Sequence, residues 1–441
     1  MNPKSKKTKT KDGKRLIKVD ALARVEGEGA LYLRIKDGSI KDLKFRIYEP
    51  PRFFEALLEG RIHSDAPDIT ARICGICPMA YIIGACHAME SALGVTVEGP
   101  LRDLRRLAYC GEWIESHVLH AFLLHAPDFL GYEDSLQLAK DYPDVVKKAL
   151  ELKKIGNEIL EVIGGRAIHP VNMTVGGFFS LPKKAAIDGL IEKLEWGVET
   201  SRELTLAVGG FPFPDYSYDY TCVSLRHPDE YAITEGNVVS NRGLDIPVAQ
   251  FEEHFDEEHV EHSNALHGVM TDGTSSYLTG PIARYNNNFE QLSPLAKKTA
   301  KKAGLGRIVT NPFQSIVVRM VETLYAFEEA VRLAKAYDPP QAPSVPIVPQ
   351  AGHGTGCTEA PRGICYHRYD LDDDGRITSA RIMPPTAQNQ RQIERDLWGV
   401  VENHMELDDE KLKWVCEQAI RNYDPCISCA THFLKLTVER D

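Results

Sequence analysis

The chain has 441 residues, 43% of them hydrophobic and 26% charged. That is material for a large buried core, and it excludes a disordered chain, a collagen-like repeat or a small metal-stapled module. Its 52 basic and 63 acidic residues leave a formal charge of −11, which argues against broad phosphate-backbone binding. Mean hydropathy is −0.28 and no apolar run approaches the ~20 residues of a membrane span. A soluble, cytoplasmic protein with neither nucleic-acid nor membrane partners is expected.

Residues 1–15 are basic and precede no apolar run of signal-peptide type, so they are expected to form a flexible tail. Residues 16–48 alternate in short β-branched and apolar runs about a Lys36-Asp37-Gly38 turn, which predicts a small antiparallel sheet. Helical periodicity then takes over. A helix is predicted over residues 80–93. Leu101, Leu104, Ala108, Ile114, Val118 and Phe122 share a face as far as Pro127, and Val145, Ala149, Leu152, Ile155 and Ile159 repeat the pattern behind Pro143. Further helices are predicted at 182–208, 312–335 and 407–421. Pro/Gly-rich loops lie at 211–215, 338–349 and 352–356. The expected fold class is α+β and predominantly α, with one domain over 16–432 built from long packed helices and peripheral β-hairpins.

Ten cysteines in a chain of this length are too few for a secreted disulfide scaffold. Two pairs stand out: Cys74 and Cys77 in Arg72-Ile73-Cys74-Gly75-Ile76-Cys77, and Cys426 and Cys429 in Asp424-Pro425-Cys426-Ile427-Ser428-Cys429. Each pair can chelate one ion through two sulfurs. A helix N-terminus and the nearby Arg72 favour thiolate at the first pair. Four thiolates suit zinc or an iron–sulfur cluster on chemistry alone. With the pairs almost a whole chain apart, the site closes only once the protein has folded. Cys86, Cys110, Cys222, Cys357, Cys365 and Cys416 have no tight spacing.

Around these pairs the sequence resembles the large subunit of nickel–iron hydrogenases over most of its length. The signatures are Arg24-Val25-Glu26-Gly27, the first cysteine motif, Gly165-Arg166-Ala167-Ile168-His169-Pro170, Glu359-Ala360-Pro361-Arg362-Gly363, and the second cysteine motif through His432, all in the family's order. The resemblance implies nickel held by all four cysteines. Cys77 and Cys429 would bridge to an iron carrying carbon monoxide and two cyanides, and Cys74 and Cys426 would be terminal. The reaction implied is reversible heterolytic cleavage of H2. Glu26 matches the family's proton-relay glutamate. Arg362 matches the arginine over the metal face, and Asp424 would position it or the terminal cysteine. Glu55 and His432 match ligands of a second ion, magnesium or, given the imidazole, iron.

Tyr81 stands where many members have histidine. With Pro78 it makes this chain more similar to cytoplasmic NAD(P)-linked hydrogenases, or sulfhydrogenases, than to membrane-bound uptake enzymes. Family precursors are commonly cut after the position of His432, which sets residues 433–441 apart as a C-terminal extension. The implied partners are an iron–sulfur small subunit, a flavin- and NAD(P)-binding subunit, a further iron–sulfur subunit and maturation proteins. The competing readings are a metal-free scaffold subunit like that of respiratory complex I, and a hydrogen sensor.

Other motifs carry plainer expectations. His117 and His120 read as core histidines, His169 reads as structural or as a residue supporting the metal ligands from behind, and the acidic, histidine-rich run 252–262 reads as a solvated face. Asp370 to Gly375 resembles a calcium loop but has Arg381 where the closing glutamate belongs, so a hairpin turn is expected. Gly352, Gly354 and Gly356 lack the strand-then-helix context of a dinucleotide site.

Overall fold

The computed structural model describes residues 14–272 and 276–431. The expectations for residues 1–13, His432 and the extension 433–441 lie outside the described residues.

The chain opens with an antiparallel sheet of β1 (Lys14–Val19), β2 (Gly29–Lys36) and β3 (Ser39–Ile47). Alternate residues point inward: Leu31, Leu33 and Ile35 of β2 are buried, and their neighbours are more exposed. This is the period of two that the sequence displays. The sheet starts at Lys14, two residues before the boundary read from the sequence. The tight turn puts Asp37 and Gly38 at positive φ.

Four long helices follow: α1 (Pro78–Ala92), α2 (Gly99–Val118), α3 (Pro143–Gly164) and α4 (Ile191–Gly209). Pro143 occupies the first turn of α3, where its missing N–H costs nothing. The α2 periodicity runs on into residues 119–126 as expected, but Leu119–His125 is π-helical and the coil does not stop at Pro127: it continues as a short helix, Ala126–Leu130, with Pro127 in its first turn. Pro127 cannot donate to the preceding turn, and the wider coil accommodates that loss. Buried partners fill the widened turn. His120 Nε2 lies 2.7 Å from the Arg421 carbonyl, and Arg24 donates to Leu124 O at 2.7 Å and to Asp128. Gly111 of α2 and Gly156 of α3 meet where a side chain on either would strike the other's carbonyl oxygen, so these helices pack backbone to backbone.

After a three-stranded antiparallel sheet over residues 223–246 comes a short hairpin, β4 (Phe255–Glu258) with β5 (His267–Met270), and then α5 (Ser315–Ala336) packs against α2 and α4. A further three-stranded antiparallel sheet, β6 (Gly352–Ala360), β7 (Gly363–Leu371) and β8 (Ile377–Met383), stands where the sequence suggested mainly a glycine-rich loop. Gly352, Gly354 and Gly356 face α1, and a Cβ on any of them would overlap the carbonyl oxygen of Ala92, Ala88 or Gly84 respectively. Every second strand residue thus meets every fourth helix residue, steps of about 6.6 and 6.0 Å. These glycines are a packing seam. The expected turn after Asp370 joins β7 to β8, with Asp372 Oδ1 accepting from Asp374 N at 3.0 Å and Arg376 N at 2.8 Å.

The chain then forms α6 (Pro385–Glu402), α7 (Asp409–Arg421) and a single turn, α8 (Ile427–Ala430). Asp408 caps α7 through Lys411 N at 2.9 Å. Helix α6 buries Ile393, Leu397, Val400 and Val401 along its second half, but the inner face of its first half is polar. Asn389 Oδ1 accepts from Thr279 N at 2.9 Å, Gln388 donates to Ile364 O and Met383 O at 2.7 and 2.9 Å, and Ser276 donates to Gln392 at 2.6 Å. The architecture is α+β and predominantly α around one dominant core. Among the described residues no helix is long and apolar enough to cross a membrane.

Candidate metal centre

Cys77 directly precedes α1, whose first residue is Pro78, and Cys74 lies three residues earlier, accepting from the N–H groups of Ile76 and Cys77 at 3.3 and 3.4 Å. Cys426 directly precedes α8 and Cys429 lies within it. Between the two motifs, Cys74 Sγ and Cys426 Sγ are 3.4 Å apart and Cys77 Sγ and Cys429 Sγ 3.6 Å; within the second, Cys426 Sγ and Cys429 Sγ are 2.7 Å apart. All four sulfurs lie within 4.8 Å of one another, and none of these residues is more than 3% exposed. The structure therefore brings the two ends of the chain together.

Several residues fasten this junction. Glu26 pairs with Cys426 in a parallel bridge: its carbonyl accepts from Ile427 N and its Oε2 from Ser428 N, both at 3.0 Å. Arg24 turns away to Asp128, so Glu26 does not pair with it. The Ser428 hydroxyl donates to Glu49 Oε1 at 2.8 Å. One guanidinium nitrogen of Arg52 donates both to Ile73 O, at 2.7 Å, and to Ser428 O, tying one cysteine loop to the other. Thr386 of α6 accepts from Cys426 N at 3.0 Å. Glu112 of α2 accepts from the Met79 and Ala80 N–H groups, closing the start of α1 beside Cys77.

Arg362 lies in the turn between β6 and β7. Its Nε donates to Asp424 O at 2.7 Å and stands 3.1 Å from Asp424 Oδ2. Asp424 adopts φ 51°, which turns its carbonyl towards the guanidinium. Burial would lower the Arg362 pKa, but Asp424 and the sulfurs of Cys426, Cys77 and Cys74 outweigh it and hold the group charged. Burial also pushes the Asp424 carboxyl up, against the pull of Arg362 and Arg319.

The sulfurs share their protons unequally. Hydrogen bonds from Cys426, Cys429 and Cys77 bring Cys74 well below the ordinary thiol range, while burial and the crowding of sulfur on sulfur push Cys426 and Cys429 up. A soft multivalent cation is what would release the remaining thiol protons, so the donor set fits a thiolate-bound metal. Arg362 Nη1 and the Tyr81 hydroxyl are both buried without a hydrogen-bond partner. Acceptors carried by a bound group, such as the cyanide nitrogens of the expected centre, would satisfy donors such as these.

Glu55, in a short helix over Phe54–Leu58, accepts from Ile382 N of β8 at 2.7 Å. Its expected companion His432 lies outside the described residues. His169 Nδ1 is 2.7 Å from the Ala71 carbonyl, just ahead of the first cysteine motif. His117 faces Glu322 at 3.0 Å in the core. Sequence reasoning did not single out Glu49, Arg52, Glu112 or Thr386. Arg52, Glu112 and Thr386 act on backbone groups and Glu49 on the Ser428 hydroxyl, all brought near only by folding, so no local spacing signals them.

The chain matches the nickel-dependent hydrogenase family over residues 52–148 and 268–432. It is 33% identical to sulfhydrogenase 1 subunit alpha of Pyrococcus furiosus, over 95% of this chain and 98% of that one. It is 26% identical to the NAD-reducing hydrogenase HoxS subunit beta of Cupriavidus necator, over 95% of each. Among solved structures, an NAD+-reducing [NiFe]-hydrogenase in the H2-reduced state superposes with a TM-score of 0.86 at 24% identity, covering 95% of this chain and 99% of that one. A [NiFeSe]-hydrogenase of Dm. baculatum does so with a TM-score of 0.76 at 24% identity, covering 95% and 100%.

Proposed function

The chain belongs to the nickel-dependent hydrogenase family, and we propose that Cys74, Cys77, Cys426 and Cys429 hold its nickel–iron centre, with Cys77 and Cys429 as the bridging pair. It is the catalytic large subunit, an oxidoreductase acting on H2. When bound, the centre supplies the heterolytic cleavage of H2 into protons and electrons. The observation that carries the residue assignment is the convergence of four buried sulfurs from the two ends of the chain within 4.8 Å.

This chain's residues shape what surrounds that reaction. Arg362, held by Asp424, presents a fixed positive charge and a free donor in a pocket closed to water. Glu26, fixed by the Ser428 N–H, is the first proton acceptor beyond the sulfurs. The Ser428 hydroxyl, already donating to Glu49, provides the next stage towards the half-buried Glu49. Glu55 and His432 hold a second ion, magnesium or iron, at the C-terminal segment.

The remaining thiols are scattered and all buried, so electrons leave to an iron–sulfur small subunit. The similarity to sulfhydrogenase and NAD-reducing subunits supports a cytoplasmic complex that passes them through flavin- and NAD(P)-binding and iron–sulfur partners, assembled with maturation proteins. The test is metal analysis and infrared spectroscopy of the purified complex, with H2-dependent NADP+ reduction. Nickel near one per chain with carbon monoxide and cyanide bands is expected, and a Cys426→Ser variant should lose both. Zinc at that stoichiometry without the bands would overturn the assignment.

A further inference from the structure

The histidine-rich run that reads as a solvated face is only partly solvated. Its last histidine, His262, and His267 at the start of β5 fold back onto Glu394 of α6. One potential ligand atom from each of the three lies within 4.8 Å of the others. His262 Nε2 is 2.7 Å from Glu394 Oε1, and the two imidazole rings meet edge to face at 5.6 Å. His267 is 2% exposed, yet its Nε2 has no hydrogen-bond partner. A buried imidazole nitrogen left unsatisfied beside a carboxylate and a second imidazole is unfavourable for a protein interior unless something else completes the set.

We propose that His262, His267 and Glu394 form a site for one divalent ion of the zinc class, separate from the sulfur centre. Two imidazoles and a carboxylate suit zinc and its first-row neighbours, whereas magnesium and calcium prefer oxygen throughout. The ion takes the place of the hydrogen bond between His262 and Glu394 and gives the His267 nitrogen its partner. The His262 and Glu394 side chains are each 20% exposed, which leaves an entry route and a fourth position for water.

The surroundings hold the ligands in place. Glu394 Oε1 accepts from Phe45 N of β3 at 2.9 Å, an outer contact that orients the carboxylate. The loop between the two histidines is fastened to the end of β3, with Asn264 N donating to Ile47 O at 2.8 Å and Asn264 Nδ2 to Tyr48 O and Glu49 O at 3.2 Å. The cation facing the site, Arg391, is paired with Glu258 at 3.3 Å, and Glu258 lies opposite His267 in the hairpin register. Glu394 lies eight residues along α6 from Thr386, about 12 Å of helix rise. The bound ion therefore clips the loop to the two elements, α6 and β3, that carry Thr386 and lead to Glu49, without reaching the sulfurs.

The experiment uses the purified complex, freed of exchangeable ions by dialysis and then titrated with ZnCl2 against a chromophoric chelator. Metals are counted by mass spectrometry and the zinc environment is read by X-ray absorption. The wild type should retain one zinc per chain beside its nickel, ligated by nitrogen and oxygen near the ~2.0–2.1 Å typical of imidazole. His262→Ala, at the more exposed of the two histidine ligands, and His267→Gln should each weaken retention by at least the roughly 100-fold upper range for loss of an outer partner, with nickel content unchanged. The proposal is overturned by wild type that retains no zinc, by equal retention in the variants, or by sulfur scattering near ~2.3 Å, which would place the zinc on cysteine.

Discussion

Replacing Arg52 by alanine tests the idea that one side chain holds the two cysteine loops together. The guanidinium donates to Ile73 O and Ser428 O, carbonyls 355 positions apart in sequence that directly precede Cys74 and Cys429. Bonds to a charged donor contribute about 1.5–3 kcal/mol each, and carbonyls deprived of a partner cost about 1–3 kcal/mol each. Arg52 is half-buried, so water reaches part of the gap and the lower ends apply, for a total of about 2–4 kcal/mol. With an unfolding entropy of about 0.9 kcal/mol/K for 441 residues, that is a fall of roughly 2–4 °C in Tm. The more telling outcome is local: loops no longer cross-tied present their sulfurs less well, so nickel per chain should fall further than global stability does. Thermal unfolding and metal analysis of the same preparations check both, and Arg52→Lys, which keeps charge but loses the planar fork, should fall between. An Arg52→Ala protein with wild-type Tm and full nickel would refute the reasoning.

Glu26→Gln keeps an oxygen for the Ser428 N–H but cannot carry a proton. Hydrogen–deuterium exchange should drop by ~100-fold or more with nickel content unaltered, and unchanged exchange would remove Glu26 from the relay. Gly354→Ala puts a methyl group into the Ala88 carbonyl of α1 and should cost about 3 kcal/mol, the upper end of ordinary overpacking; an unaltered denaturation midpoint would show that the seam has slack. Asp396 lies buried beneath the hydroxyls of Tyr220 and Tyr423, at 2.6 and 2.7 Å, and burial pushes its carboxyl up from 3.8 to about 6. Because the folded pKa exceeds the unfolded one, its contribution is fully present below pH ~4 and is lost as pH rises through about 6, some 3 kcal/mol in all. An Asp396→Asn variant, which has no ionisation to resist, should therefore gain on wild type by that order between pH 4 and 7 in denaturant titrations. A constant difference would count against the shift.

The sequence by itself determined much of this protein. The β1–β3 sheet follows from alternation, α2 and α3 from their apolar faces, and the thiolate ligation of the centre from two local Cys-x-x-Cys spacings, its metals being implied only by the family resemblance. Such features are legible because each is encoded within a few residues of itself. Helix α6 was hidden because hydrogen-bonding side chains such as Gln388 and Asn389 face inward, and hydropathy cannot tell a satisfied buried amide from an exposed one. The glycines of β6 could be read only as punctuation until α1 was seen lying across them. Tertiary structure alone decided that Arg52 bridges two loops, that Glu49 follows Ser428, and that His262 and His267 meet Glu394. Such contacts join residues separated by tens to hundreds of positions, and it is packing of the whole core that selects them.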